Sequence, residues 1–202
     1  MERQPAVRLF AEELTDCTDE FAESDEDRAP SFVTLPTGGK ANRVFLVGTL
    51  TNVEDIGSDS EYWQARVVDP TGAVNVYAGE YQQAAMAKLR QLEAPTYVAV
   101  TGKPRVYEPE DSDEAYVSVR PESIQVVDEE TRETWVVETA AATMERIGRS
   151  IHPDEPESER ANEVYDDLDI SAYHDAVERA LAGLEAETDG DVGPAGTPAS
   201  AD

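Results

Sequence analysis

The 202-residue chain is nearly without cysteine and histidine: it has a single cysteine, Cys17, and two histidines, His152 and His174. A lone cysteine excludes an intrachain disulfide and a cysteine-based zinc cluster. Two histidines far apart in sequence and near no cysteine read as surface residues. No metal or cofactor is therefore expected. Long apolar runs are missing too, since none approaches the ~18 residues that span a bilayer, and no basic stretch leads into an apolar core at the N-terminus. A soluble, cytoplasmic chain without membrane contact is expected. There is no glycine-rich phosphate loop and no Cys–His pair, and carboxylates are too common for paired acids to be informative, so nothing points to catalysis. Positive charge is scarce: 16 Lys and Arg stand against 44 Asp and Glu, for a net charge of −28. From Arg43 to Val127 seven basic residues face thirteen acidic ones, so most of the excess acidity lies in the flanks.

What is present in that central segment is a set of five strand patterns around one helix. Arg43–Val53 is β-branched and apolar, broken by Gly48 where a small barrel's first strand must bend. Tyr62–Val68 alternates and runs into Asp69-Pro70-Thr71-Gly72, a tight turn, and Ala73–Ala78 alternates back, with Val74, Val76 and Ala78 on one face. The period turns helical between Glu80 and Leu92, where Ala84, Ala85, Lys88, Leu89 and Leu92 trace a stripe that ends at Ala94-Pro95. Tyr97–Pro104 and Tyr116–Arg120 supply the last two strands. This βββαββ order predicts a mainly β protein: a five-stranded OB-fold barrel over residues 43–127 with appended N- and C-terminal helices.

Residues 1–42 predict an N-terminal helix over Pro5–Leu14, a solvated linker around Ser24–Asp27 and an apolar lead-in, Phe32–Lys40, against the barrel. Residues 128–184 predict two helices. In the first, Trp135, Val136, Ala140, Met144 and Ile147 lie along an apolar stripe; in the second, Ile170, Tyr173, Val177, Leu181 and Leu184 do, with Asp169 or Ser171 as cap. Each stripe either docks on its own barrel or bundles with a partner chain, and the first is the candidate partner-binding surface of a hetero-oligomer. Residues 185–202, rich in Gly, Ala, Pro and Asp, are expected to be a disordered acidic tail.

On an OB fold the exposed face of the second and third strands, with the loops that flank it, is the usual ligand platform. If Ala65 and Val67 face inward, with Trp63 beside them, then Tyr62, Gln64 and Arg66 face outward beside Asn75 and Tyr77. The last strand presents Tyr116 and Arg120, and Lys103, Arg105 and Tyr107 approach the loop before it. Such a surface can stack and pin single-stranded bases. Tyr62 and Tyr77 could equally form a cross-strand pair.

The abundance of Asp and Glu with little lysine resembles the protein composition of extreme halophiles. At molar salt the Debye length shrinks to about 3 Å, so remote repulsion of a nucleic acid is screened and local stacking decides binding. The stretches Leu35–Leu50 and Tyr62–Gly72 resemble the archaeal replication-protein-A-associated proteins of haloarchaea, and the likeness runs over roughly residues 5–185. The Asp69-x-x-Gly72 turn with Val74–Ala78 is similar to the hairpin of replication protein A's single-strand-binding domains. This resemblance implies a non-catalytic subunit associated with replication protein A, contributing to single-stranded DNA binding in replication, repair and recombination. It also implies base contacts at Asn75, Tyr77 and Gly79, the last departing from the aromatic common in that family. A protein-interaction adaptor and an RNA-binding OB fold are the rival readings.

Overall fold

The computed structural model describes residues 4–24, 29–109, 114–150, 156–165 and 169–190. Along the chain the elements are β1 (Val7–Arg8), α1 (Ala11–Thr15), β2 (Glu20–Ala22), β3 (Ser31–Thr34), β4 (Lys40–Ala41), β5 (Val44–Asp55), β6 (Trp63–Val68), β7 (Ala73–Ala78), a 3₁₀ turn (Glu80–Gln82), α2 (Gln83–Leu89), β8 (Thr96–Tyr107), β9 (Tyr116–Val126), α3 (Glu129–Ser150), α4 (Pro156–Val164) and α5 (Ile170–Gly190).

Strands β5, β6, β7, β9 and β8 are neighbours in that order, and β8 returns to pair with β5. Among these five strands every pairing is antiparallel except β7 with β9. With a helix between its third and fourth strands, this closed barrel is an OB fold. Closure depends on β5 serving two partners: Val44–Leu50 pairs with β8, and the register to β6 shifts between Leu50 and Asn52. Gly48 lies where the strand turns. A Cβ there would come 2.4 Å from the Val68 carbonyl oxygen, so only a bare Cα lets the strands pack this closely.

The alternation places Ala65, Val67, Val74, Val76 and Ala78 in the core, and α2 turns Ala85 and Leu89 into the barrel. Ala84 is exposed, and Lys88 and Leu92 sit at the margin, so the helical stripe is narrower than its spacing suggests. Trp63 packs partly buried against the core, as expected. β8 and β9 extend beyond their predicted ends to make one long hairpin, in which Tyr107 stands directly opposite Tyr116.

The N-terminal region differs from expectation. Val7 and Arg8 are extended and pair in parallel with Val44 and Phe45, and only Ala11–Thr15 is helical. Pairing with the open edge of β5 satisfies backbone groups that a longer helix would have bonded internally. Asp69 and Thr71 of the hairpin turn take up the free amides of α1: Ala11 N–H donates to Asp69 Oδ2 at 2.6 Å and Glu12 N–H to Thr71 Oγ1 at 3.1 Å. Strands β2, β3 and β4 then form a small antiparallel sheet that the sequence did not suggest. Of the linker expected around Ser24–Asp27, residues 25–27 lie outside the described residues.

Helix α3 corrects the partner-binding expectation. Trp135, Val136, Ala140 and Ile147 are buried against this chain's own residues, and only Met144, 37 % exposed, remains at the surface. Phe10 meets Trp135 edge to face at 5.5 Å, and Val177 and Ala180 of α5 belong to the same continuous core. The helix docks at home because α1 and α5 together cover a stripe that the barrel alone could not. Asp169, not Ser171, caps α5, accepting from the Ser171 amide and hydroxyl. That helix continues to Gly190, so the expected tail boundary after Leu184 falls inside it; residues 191–202 lie outside the described residues. No helix among the described residues is long and apolar enough to cross a membrane.

Candidate nucleic-acid interface

The outer face of the β6–β7 hairpin follows directly from its register. Gln64 stands opposite Tyr77 and Arg66 opposite Asn75, and all four point away from the buried Ala65, Val67, Val74 and Val76. Gln64 Nε2 donates to the Tyr77 hydroxyl at 3.1 Å. Tyr62 and Tyr77 stack with centroids 5.8 Å apart and planes 11° off parallel, so the cross-strand pair forms. Rings at that separation are already in mutual contact, which leaves outer ring faces rather than a slot between them.

Three local devices hold Tyr62. Asp55 closes the loop before β6 by accepting from the amides of Gly57 and Tyr62, each at 3.0 Å. Those donations, Tyr62's foremost, hold its carboxyl below the usual range. Arg120 Nη1 donates to the Tyr62 hydroxyl at 2.6 Å. Gly79 supplies the third: a Cβ there would meet the Tyr62 ring at 3.0 Å, so the ring lies where a larger residue would stand. Gly79 thus has a physical account: the Tyr62 ring occupies the space a side chain there would fill.

Two clefts open on either side of Tyr62. One, of about 900 Å³, runs between β7 and β9 and is lined by Asn75, Tyr77, Arg105, Tyr107, Tyr116 and Arg120 among others. The other, of about 780 Å³, lies toward the 3₁₀ turn and includes Lys103 with Arg105 and Arg120. Because Tyr62, Arg105 and Arg120 line both, the clefts form one continuous groove. Eight of the ten residues nominated from the sequence line it. Gln64 reaches it through Tyr77, and Arg66 stands beside Asn75 on the open hairpin face.

The groove's electrostatics depend on which charges already have partners. Glu122 is paired with Arg43 at 2.5 Å and Glu61 with Arg90, both arginines lying outside the groove. Arg105 is held at 2.5 Å by Glu20, which also accepts from the Val106 amide at 3.0 Å and from Ser31. Partial burial pushes the Glu20 carboxyl up, but these donors outweigh it and hold the group below its usual value. Among the described residues, Arg66 and Lys103 make no ion pair or side-chain hydrogen bond, and Arg120 is bonded to a phenol rather than a carboxylate. Of the loop between β8 and β9, residues 110–113 lie outside the described residues.

The sequence did not nominate Glu20, because its contact with Arg105 crosses 85 positions through a sheet with no periodic signal. Nor did it nominate Tyr81, which projects from the 3₁₀ turn and is 87 % exposed at the second cleft. Elsewhere, His174 is exposed on α5, 3.8 Å from Asp175 and Glu178, and His152 lies outside the described residues. Cys17 is buried, donating to the Glu13 carbonyl, and burial pushes its thiol well up.

No family model and no curated protein matches the chain. Among solved structures it is similar to a replication protein A heterotrimer bound to single-stranded DNA, at 16% identity and TM-score 0.42, over 62% of this chain and 88% of that one. It is similar also to OBody AM1L10 bound to hen egg-white lysozyme, at 15% identity and TM-score 0.40, over 63% and 100%. The second single-stranded DNA-binding protein of Mycobacterium smegmatis matches at 21% identity and TM-score 0.35, over 42% and 84%. Strand order and register, rather than these distant likenesses, define the barrel as an OB fold.

Proposed function

We propose that this OB-fold protein binds single-stranded DNA along the groove that crosses Tyr62, and acts without catalysis as a subunit associated with replication protein A in replication, repair and recombination. The observation that carries the binding is the groove itself: Tyr62, Tyr77, Tyr107 and Tyr116 line it beside Arg105 and Arg120, while the carboxylates Glu61 and Glu122 at its rim are engaged by arginines outside it. Bases stack on the outer faces of the tyrosines, at about 1–3 kcal/mol each, and the arginines pair with intervening phosphates. With net charge −28 the chain repels a polyanion at long range. Screening by salt removes that repulsion while stacking persists, so affinity should fall little, or rise, as salt is added.

Association with replication protein A is supported by the resemblance carried by Leu35–Leu50 and Tyr62–Gly72. The apolar stripe of α3 does not supply the contact, because this chain buries it.

Fluorescence anisotropy of a labelled strand of about 30 nucleotides, longer than one OB fold's usual footprint, tests the proposal in low and molar KCl. Saturable binding weakened roughly 5- to 150-fold by Tyr77→Ala, the loss of one stacked base, is expected. A folded protein that binds no strand at either salt refutes direct DNA contact and leaves a protein adaptor. Stronger competition by matched RNA than by DNA would reassign the groove to RNA.

A further inference from the structure

Tyr81 is the most exposed of the large apolar and aromatic side chains among the described residues, yet it stands at the wall of a cleft rather than on open surface. Its ring faces are bare, so a base can stack on them without displacing a neighbour. The fixed backbone of the 3₁₀ turn adds to this: the Gln82 side chain accepts from the Gly79 amide at 3.1 Å, and the Gln82 amide donates to the Gly79 carbonyl at 2.9 Å. Across the same cleft stands Lys103, exposed on β8 and without a charge partner among the described residues. Of the carboxylates bordering the cleft, Glu61 and Glu122 are engaged by Arg90 and Arg43 and Glu80 stands beside Tyr81, while β8 brings an unpaired positive charge to it.

We infer that this cleft is a second nucleotide subsite, in which a base stacks on Tyr81 and the adjoining phosphate pairs with Lys103. The inference rests on the single-strand reading of the groove and extends it. Because Tyr62, Arg105 and Arg120 border both clefts, a strand lying along Tyr77, Tyr107 and Tyr116 passes Tyr62 and reaches Tyr81 without leaving the protein surface. The subsite therefore lengthens the footprint rather than providing a separate site. Base recognition there comes from the ring face, which accepts any base, and charge recognition from one ammonium, which follows the phosphate.

The test uses the full chain and labelled oligothymidylates of graded length, from about 4 to about 16 nucleotides, the range of OB-fold footprints. In the wild type, affinity should rise with length until both clefts are filled. Tyr81→Ala should remove the last part of that rise, weakening the longest strand roughly 5- to 150-fold, the loss of one stacked base, while the shortest strand binds as before. Tyr81→Phe should restore it. Lys103→Ala should weaken the long strand and lower the salt dependence of its binding by about one phosphate. Both side chains are exposed, so circular dichroism and melting of the variants should match the wild type. If Tyr81→Ala and Lys103→Ala bind every length as the wild type does, the second subsite is wrong while the groove stands. If Tyr81→Ala weakens short and long strands equally, the ring belongs to the main stack and the subsite is again wrong. If the wild type binds no length, both the subsite and the single-strand reading fall together.

Discussion

Replacing Arg146 with methionine should destabilise the protein by about 3–5 kcal/mol, the usual result of leaving one member of a buried ion pair without the other. Arg146 reaches from α3 into a pocket where its Nη2 donates to Glu13 at 2.6 Å and to Thr143 at 3.0 Å, and its Nε donates to Thr37 at 3.0 Å. The Thr37 hydroxyl in turn donates to the other oxygen of Glu13. Glu13 is 1 % exposed and Arg146 7 %, so water cannot replace the lost guanidinium. Against a typical stability of 5–15 kcal/mol, the loss removes a large fraction of the total. Urea unfolding followed by the fluorescence of Trp63 and Trp135 measures it. The double variant Glu13→Leu with Arg146→Met should recover most of the deficit, since neither charge then remains buried. A single variant within about 1 kcal/mol of wild type would refute the buried pairing and the docking of α3 on its own N-terminal segment.

Truncation after Asp128 should not leave a stable monomer, because it strips Trp135, Val136, Ala140, Val177 and Ala180 from a core that Phe10 and Leu14 share; size-exclusion chromatography with thermal melting checks this, and an unchanged melting transition would refute it. Gly48→Ala should destabilise by at least the 1–3 kcal/mol usual for overpacking, since the new methyl meets the Val68 carbonyl, which belongs to the barrel's own ladder; denaturation midpoints measure it. Glu20→Gln should free Arg105 for the groove and tighten strand binding by up to about 5-fold, the equivalent of the ~1 kcal/mol a half-exposed pair contributes; equal or weaker binding would mean Arg105 does not meet phosphate. Because Glu20 is held below its usual value near 4.5, its contribution to stability is present above that pH and lost as pH falls through the lowered folded value. The stability gap between wild type and Glu20→Gln should therefore hold from neutral pH to about 5 and close below 4.5.

Much of the barrel was legible because a two-residue period has only one way to bury half its residues. Once Val74, Val76 and Ala78 are inside, Asn75 and Tyr77 must be outside, and the Asp69–Gly72 turn fixes Gln64 opposite Tyr77. Gly48 was legible for a similar reason, since an apolar strand carries a glycine in its middle only where something comes close. The stripe of α3 was read correctly as apolar, but a helix's own sequence does not say what covers it. Its cover is Phe10 and the residues of α5, more than a hundred positions upstream in one case and about forty downstream in the other.

What was missed shares one cause: it rests on contacts between distant, aperiodic segments. Val7, Phe10 and Leu14 fit a helix by spacing, yet the free edge of β5 offers Val7 and Arg8 backbone partners, and a helix that short gains little from propensity alone. Strands of two to four residues such as β2, β3 and β4 contain too few positions for a period to show. The charged contacts were hidden by abundance. With 44 carboxylates on the chain, no spacing distinguishes Glu13 and Glu20, which engage Arg146 and Arg105, from the many that only face water. The same abundance gives the groove its character. Where arginines outside the groove already engage two of its rim carboxylates, Glu61 and Glu122, a strongly acidic protein can still present tyrosines, arginines and one free lysine to a polyanion, and a surplus of negative charge elsewhere weakens the approach more than the contact.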